Sequence, residues 1–273
     1  MTGTPHPLPA DLAAALADYA TLDGTTVRYF PELASTNDTA AALAAAGAAD
    51  GTVIVAERQT AGRGRRGRTW NSPAAVGLYL SVVLRGSQPP VVTLLAGVAV
   101  AEAVRETTGV PAELKWPNDV VVDVAGDAVA AQARRKVAGI LTEALPRGRS
   151  GADGAVIGIG VNVGARAFPP ELAGRAAALE ALAGCPVNRA ILCAGILVRL
   201  TEWRRRMARE GTNVVVERWR ALSPSSRGAS VSWEAAGTDR HGVTAGVDDG
   251  GALLVACDGR TERIVGGEVR WGS

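Results

Sequence analysis

A stretch rich in glycine and arginine places the strongest constraint on this chain. Three glycines and four arginines lie between Gly62 and Arg68, and Trp70 follows closely. The preceding run, 52–56, is apolar and dominated by β-branched residues, which predicts a buried strand. We therefore expect the chain to pass from a sheet into a mobile, strongly cationic loop.

Such a loop suits an anionic ligand, because glycine lets backbone N–H groups come close and guanidinium groups bind carboxylate or phosphate oxygens two at a time. The loop also matches the dinucleotide-binding pattern G-x-G-x-x-G, but that pattern needs a helix directly after it. Residues 68–73 have no helical period and end in Pro73, so we reject a dinucleotide-binding fold. A solvated basic loop that touches nucleic acid stays an alternative.

Composition narrows the possible chemistry. The 273 residues are 47% hydrophobic, enough for one substantial core and a small second domain. The net charge is only +2, which makes the basic loop a local feature and disfavours general nucleic-acid binding. With only His6 and His241, histidine-dependent nucleophilic catalysis and histidine-ligated metals are also disfavoured. Three cysteines without metal-ligand spacing predict reduced thiols of a cytoplasmic protein: Cys185, Cys193 and Cys257.

Lysine is nearly absent, although the chain has 29 basic residues. The two lysines begin the segments 115–119 and 136–143, and a chain that otherwise uses arginine suggests that a compact ammonium group is needed there. We expect both segments to meet the basic loop and the glycine-rich run 155–163 at one face of a mixed sheet. Clustered cations fit phosphoryl or adenylyl transfer, because they offset repulsion between an attacking carboxylate and a nucleotide phosphate.

The order of predicted elements indicates an α+β protein with three parts: an N-terminal extension 1–25, a catalytic domain 26–222 and a small β-barrel 227–273. Apolar runs predict strands at 26–30, 52–59, 77–84, 120–122, 136–143 and 155–163. Helical patterns are found at Asp11–Tyr19, from a cap at Ser35 to Gly47, and at Val92–Thr108, Glu171–Leu182, Asn188–Glu210 and Val214–Leu222. Pro117 predicts a bulge or strand end, and the polar connection 123–135 predicts a hairpin turn of extra length.

Together these motifs resemble the biotin protein ligase family in order and approximate spacing. The matching segments are Ser35–Asn37, Gln59–Trp70, Lys115–Asp119, Lys136–Glu143 and Gly158–Asn162, with 251–254 and 266–269 near the end. The resemblance implies a mixed sheet flanked by helices, of the kind found in class II aminoacyl-tRNA synthetases and in biotin and lipoate ligases. It implies that an SH3-like β-barrel follows this sheet.

The resemblance also implies a two-step reaction. The carboxylate of biotin attacks ATP to give biotinyl-5′-adenylate and pyrophosphate, and a lysine of the biotin carboxyl carrier domain of an acyl-CoA carboxylase then attacks the adenylate. Mg²⁺ is implied as a companion of ATP, with Asp119 as its one possible protein contact. The reaction needs no protein nucleophile, which agrees with the scarcity of histidine.

Individual roles follow from the resemblance, residue by residue. The implied catalytic residues are Arg65, Lys115, Asp119 and Lys136. The implied biotin contacts are Ser35, Thr36, Asn37, Gln59, Arg63, Gly64, Arg65, Lys136 and Gly139. The implied ATP contacts are Arg65, Arg68, Trp70, Lys115, Asn118 and Asn162. For Trp70, as for Trp116, a plain core position is an equal alternative to the lining of a ligand site.

Several alternatives stay open. A lipoate or octanoate ligase or transferase of the same fold is the nearest, although the basic loop and Ser35–Asn37 favour the polar bicyclic head of biotin. A nucleic-acid-binding protein that uses the loop and the barrel is the second. Because about 30 residues precede the catalytic segment, we expect no DNA-binding domain; we also expect no membrane segment. Both a monomer and a ligand-linked homodimer fit the sequence.

Overall fold

The computed structural model describes residues 4–125, 132–145, 153–164, 168–235 and 237–272. In these residues a seven-stranded mixed sheet, ordered β1-β2-β3-β7-β6-β5-β4, is flanked by helices, and a five-stranded antiparallel sheet follows it. The strands are β1 Val27–Leu33, β2 Val53–Gln59, β3 Gly77–Arg85, β4 Glu113–Lys115, β5 Asp119–Ala125, β6 Gln132–Leu145, β7 Gly154–Asn162, β8 Arg227–Ala235, β9 Thr238–Val247, β10 Leu253–Cys257, β11 Arg260–Ile264 and β12 Val269–Trp271. This architecture confirms the predicted α+β class.

Six α-helices are found in the described part of the chain. They are α1 Ala10–Ala17, α2 Thr36–Ala45, α3 Val92–Thr108, α4 Leu179–Ala183, α5 Arg189–Glu210 and α6 Asn213–Ala221. None of these helices is both long enough and apolar enough to cross a lipid bilayer.

The central sheet is buried on both faces. In β2, Val53 and Val55 belong to the larger hydrophobic core, whereas Ile54 and Ala56 belong to a smaller core that includes Ala40 of α2. Successive side chains of a strand point to opposite faces, so burial of both faces explains the continuous apolar run in the sequence. The face with the smaller core also carries the site described below.

Helix α3 is the centre of the larger core. It begins and ends at the predicted residues, and Gly109 follows it with φ of 71°. Glycine adopts this left-handed conformation without the steric cost of a Cβ atom, which explains why the helix ends there. Leu95 and Val98 are fully buried, and the helix packs against both α5 and α6.

The helix predicted for Glu171–Leu182 is wrong. The structure has a 3₁₀ turn at Pro170–Leu172, a further turn through Gly174, and an extended segment at 176–178 before the short helix α4. The extended part is held by β6: the Lys136 N–H donates to the Arg175 carbonyl at 2.9 Å, and the Ala177 N–H donates to the Lys136 carbonyl at 3.0 Å. These long-range bonds override the local helical preference of an alanine-rich sequence.

The connection after β5 forms the predicted hairpin, with longer arms than expected. The two strands pair out to Ala125 and Gln132, while residues 126–131 lie outside the described part of the chain.

The C-terminal sheet, ordered β11-β10-β9-β8-β12, is antiparallel throughout. Its buried residues include Val231, Trp233 and Leu253. The Trp116 indole N–H donates to the Gly251 carbonyl at 3.0 Å, which ties this sheet to the segment between β4 and β5. Trp116 is itself buried, so it serves as a structural anchor between the two sheets.

We predict that Leu95→Ala lowers the free energy of unfolding by about 2–5 kcal/mol, because it leaves a cavity in a fully buried position. Urea unfolding followed by circular dichroism measures the loss. Leu16→Ala is the matched control: Leu16 is only partly buried, so it should lose clearly less. Equal losses in the two variants would contradict the central place of α3 in the core.

Candidate active site

The floor of the site is a patch of glycines on neighbouring strands. Gly139 of β6 pairs with Gly160 of β7, and Gly158 lies two residues earlier on the same face. A Cβ atom at Gly160 would lie 2.4 Å from the Trp70 indole, and one at Gly158 would lie 2.2 Å from Asn37 Oδ1. Glycine at these positions thus permits a close approach to the sheet, and the groups that approach are side chains of the same protein.

A first compartment, with a cavity of about 50 Å³, opens above this floor. Its walls come from the start of α2, the end of β2, the basic loop and the strands β6 and β7. All the predicted biotin contacts line it, together with four further residues from the site list or the floor: Ser35, Thr36, Asn37, Gln59, Arg63, Gly64, Arg65, Trp70, Asn118, Lys136, Gly139, Gly158 and Gly160.

Helix α2 presents its first residues to this compartment. The Ser35 side chain accepts a hydrogen bond from the Asp38 N–H at 3.4 Å, which is the predicted N-cap. Thr36 and Asn37 are buried although both are polar. Buried polar groups need partners, and the Thr36 N–H donates to Gln59 Oε1 at 2.8 Å. One wall is therefore a row of fixed polar groups.

A second and wider cleft adjoins the first compartment on the side of the C-terminal sheet. It contains the remaining predicted site residues, which are Arg68, Lys115, Asp119 and Asn162. It also contains several residues without a predicted role: Phe168, Arg175, Glu268, Arg270 and Trp271. Five residues line both spaces and therefore mark their boundary: Gly64, Arg65, Trp70, Asn118 and Lys136.

A β-bulge directs Lys136 toward this boundary. The pairing of β5 with β6 shifts register between Val120 and Val121, so that Lys136 pairs with Val121 while Ala138 pairs with Val120. The extra residue, Val137, reverses the alternation of side chains along β6. Ala138 packs in the larger core, whereas Lys136 reaches the glycine floor.

At the boundary, Lys136 is surrounded by groups that restrain its ammonium. Its Nζ lies 2.5 Å from Asp119 Oδ1 and 5.1 Å from the centre of the Trp70 ring. The side chain of Asn162 donates to the Lys136 carbonyl at 3.2 Å. An ion pair and an aromatic face together hold a compact positive charge in place.

Arg65 faces Lys136 from the loop side of the boundary. Its Nη1 donates to Asn118 Oδ1 at 3.1 Å, and the Asn118 side chain in turn donates to the Ile140 carbonyl at 2.8 Å. Burial lowers the pKa of the Arg65 guanidinium, which keeps its charge at any ordinary pH. Two fixed cations thus lie where the two spaces meet, and such an arrangement stabilises negative charge.

Lys115 occupies the second cleft and lies further from water than an ordinary surface lysine. Its Nζ is 5.7 Å from the centre of the Trp271 ring. Burial lowers the pKa of the Lys115 ammonium, and the Asp119 carboxylate opposes that change.

The basic loop also contacts the C-terminal sheet. Arg68, an expected ATP contact, forms an ion pair with Glu268, and Arg66 lies 3.7 Å from the same carboxylate. Glu268 had no predicted role, although it follows two glycines in a matching segment. Trp271 and Glu143 had none either. The position of Glu143 could have been inferred from the sequence. In a strand, Gly139, Leu141 and Glu143 lie on the same face of the sheet.

The lowered pKa of Lys115 predicts that its amine becomes reactive at a lower pH than an ordinary lysine, whose pKa is about 10.4. Labelling with acetic anhydride between about pH 8 and pH 10 tests this by mass spectrometry, with free lysine amide as the internal reference. In a Lys136→Arg variant, Lys115 is the single remaining lysine. A labelling midpoint equal to that of the reference amine would contradict the buried position.

Comparison with known proteins agrees with this geometry. Residues 29–162 match the model of the biotin/lipoate A/B protein ligase family. The chain is 36% identical to the biotin–[acetyl-CoA-carboxylase] ligase of Mycobacterium tuberculosis, over 86% of this chain and 85% of that protein. It is 32% identical to the bifunctional ligase/repressor BirA of Bacillus subtilis, over 91% of this chain and 75% of that protein.

Solved structures give the same result. The biotin protein ligase of Aquifex aeolicus in complex with biotin and ATP superimposes with a TM-score of 0.76 at 28% identity, covering 90% of this chain and 98% of that one. The glycine floor, the basic loop and the bulge-directed lysine thus occur in a fold and a sequence shared with enzymes of one kind. This chain belongs to the biotin/lipoate protein ligase family.

Proposed function

We propose that this protein is an ATP-dependent ligase that forms biotinyl-5′-adenylate and transfers biotin to a lysine side chain of a carrier protein. The observation that carries this function is the boundary between the two spaces. We assign biotin to the smaller, polar-walled compartment and ATP to the wider cationic cleft. Arg65 and Lys136 line both, so the biotin carboxylate and the α-phosphate of ATP would meet between two cations.

In the first step, a carboxylate oxygen of biotin attacks the α-phosphorus, the bond from that phosphorus to the bridging oxygen breaks, and pyrophosphate leaves. Two anions must approach each other, and a charge pair at contact is worth about 4 kcal/mol at an effective dielectric near 20. Lys136 and Arg65 therefore offset the repulsion and stabilise the charge that develops. Both groups are fixed before the reaction by Asp119, Trp70 and Asn118.

In the second step, a neutral lysine amine of the acceptor attacks the acyl carbon, and AMP leaves with the oxygen that came from biotin. The amine loses a proton, and we assign the Asp119 carboxylate, which lines the second cleft, as its acceptor. Lys115, across the second cleft, stabilises the departing AMP. The acceptor that we propose is a biotin carboxyl carrier domain, which agrees with the carboxylase substrate in the name of the M. tuberculosis relative.

Specific residues are proposed to bind each substrate. The polar ring of biotin would be recognised by Ser35, Thr36 and Gln59. Hydrogen bonds within the protein hold the buried polar groups of this wall in fixed positions. Asn118 and Asn162 serve the nucleotide. The wall has several more polar groups than a plain acyl chain needs, which favours biotin over lipoate or octanoate as the acid.

Mg²⁺ would accompany ATP. Among the described residues, no group of three or more histidine, cysteine, aspartate or glutamate side chains could hold a metal ion, and the Asp119 carboxylate is paired with Lys136. This donor set does not form a protein metal site, and we assign no step to the ion.

We also propose the roles of the domains and the cellular compartment. We assign catalysis to residues 26–222, with the sheet in 227–273 as an accessory unit at the nucleotide cleft, and 1–25 as an N-terminal extension. Free Cys185, Cys193 and Cys257 fit a reducing compartment such as the cytoplasm. A monomer and a homodimer linked to ligand binding are both compatible with this mechanism.

The direct test is exchange of radiolabelled pyrophosphate into ATP. We predict exchange that requires biotin, and a loss on the order of 10²–10³-fold in Lys136→Ala, because the ammonium stabilises charge in the transition state. Lys136→Arg retains a cation with different geometry and should keep part of the activity. Exchange that ignores biotin and proceeds with lipoate would overturn the function.

A further inference from the structure

The two ends of the basic loop are joined to each other through the wall of the first compartment. We call residues Gly62–Trp70 the lid. A continuous series of hydrogen bonds and ion pairs runs from the start of the lid to its end through residues of α2, β2, β3 and β6. Its members, in order, are Arg63, Glu143, Asn37, Ser81, Thr36, Gln59, Ser72 and Trp70.

Glu143 is the junction at the first end. Its Oε2 accepts from Arg63 Nη2 at 2.6 Å and from Asn37 Nδ2 at 2.7 Å. Arg63 has a second carboxylate partner, Asp38, at 2.7 Å. Asp38 is the more exposed of these two carboxylates, with 57% of its side chain accessible against 35% for Glu143. Asp38 is not a member of the series.

Asn37 links Glu143 to the interior and has no spare donor. Its Nδ2 donates to Glu143 and, at 3.3 Å, to the Leu141 carbonyl, while its Oδ1 lies 2.6 Å from Ser81 Oγ. An amide has two N–H donors, so both are in use. Asn37, an expected biotin contact, also lines the first compartment, so it joins the ligand site to Glu143.

The series then reaches the other end of the lid. Ser81 Oγ lies 2.8 Å from Thr36 Oγ1. Gln59 Nε2 donates to Ser72 Oγ at 2.9 Å, and Ser72 Oγ donates to the Trp70 carbonyl at 3.0 Å. Thr36 and Gln59, the groups proposed to bind the ring of biotin, therefore lie between the two ends of the lid.

The lid itself transmits the position of Arg63. Its arms are bonded to each other: the Trp70 N–H donates to the Gly62 carbonyl at 2.8 Å, and the Gly64 N–H donates to the Arg68 carbonyl at 2.7 Å. These bonds join the backbone on either side of Arg63 to the opposite arm, so a shift of the Arg63 backbone moves both arms of this narrow loop. Arg65, at the boundary where the carboxylate is activated, lies two residues further on.

From this geometry we infer that Glu143 is a positioning residue that couples biotin binding to closure of the lid. The inference rests on the proposed function. Biotin at Thr36 and Gln59 fixes Asn37, Asn37 and Arg63 share the Glu143 carboxylate, and the charge-assisted bond to Arg63 holds the lid over the ligand. A ligand that strengthens one bond of a cooperative series strengthens its neighbours.

Glu143→Gln tests the coupling, because glutamine keeps the shape and an acceptor for Asn37 but loses the charge that binds Arg63. Two quantities are measured: the Michaelis constants for biotin and for ATP, and the rate at which trypsin cuts the lid with and without biotin. We expect the biotin constant to rise about tenfold, as for loss of one charge-assisted hydrogen bond. The ATP constant should change less than about twofold, and biotin should no longer protect the lid.

Asp38→Asn is the matched control, because it removes the other carboxylate partner of Arg63 and leaves every bond within the series in place. It should leave both constants and the protection nearly unchanged. Arg63→Gln tests the same contact from the exposed lid, where a folding defect is not expected, and should reproduce the effect of Glu143→Gln. The double variant should be no worse than either single one, since both remove the same bond.

Two outcomes would overturn the coupling while leaving the enzyme's function intact: additive effects of Arg63→Gln and Glu143→Gln, or normal protection of the lid by biotin in Glu143→Gln. A uniform loss of stability with equal changes in both Michaelis constants would also overturn it, because that is the pattern of a merely structural residue. Failure of the unaltered protein to bind biotin would instead reject the proposed function itself, and the coupling with it.

Discussion

The site depends on a part of the sheet that carries no side chains. Gly139, Gly158 and Gly160 remove the Cβ atoms of two central strands on one face. Trp70 and Asn37 occupy the space that those atoms would fill, so the lid and the start of α2 lie directly on the backbone of the sheet. One side chain added to this floor would displace a wall of the first compartment or the aromatic partner of Lys136. A large buried core on the opposite face keeps the floor rigid.

The two cations above this floor are held in fixed positions before the substrates bind. Lys136 is held by Asp119 and Trp70, and Arg65 is held by Asn118. Catalysis by fixed charges gains because the groups need little reorganisation as the transition state forms. The lid, by contrast, must open and close, since the acyl-adenylate needs protection from water and the acceptor lysine needs access. Its contacts with Glu143 at one end and Glu268 at its outer side are ion pairs between partly exposed groups, which are individually weak enough to break.

Local patterns in the sequence were sufficient for much of this structure. Helix α3 was predicted with its observed bounds because a long, mainly apolar helical pattern ends at a glycine. The scarcity of lysine pointed to the two ammonium groups of the site. The sequence could not predict that residues 175–177 pair with β6, because the bonds from Lys136 that hold them cross about 40 positions of chain. The same limit hid the series through Glu143 and Ser81: strand register decides which polar residues of different strands meet, and register is a tertiary property.

The central claim is that the biotin carboxylate attacks the α-phosphorus at the boundary marked by Arg65 and Lys136. Biotin labelled with ¹⁸O in its carboxylate follows this bond directly, in a reaction with ATP and hydroxylamine as the amine acceptor. The mechanism predicts one ¹⁸O atom in each AMP released, detected by mass spectrometry, because AMP departs with the oxygen that biotin supplied. Unlabelled AMP, or label found in inorganic phosphate beside ADP, would contradict it.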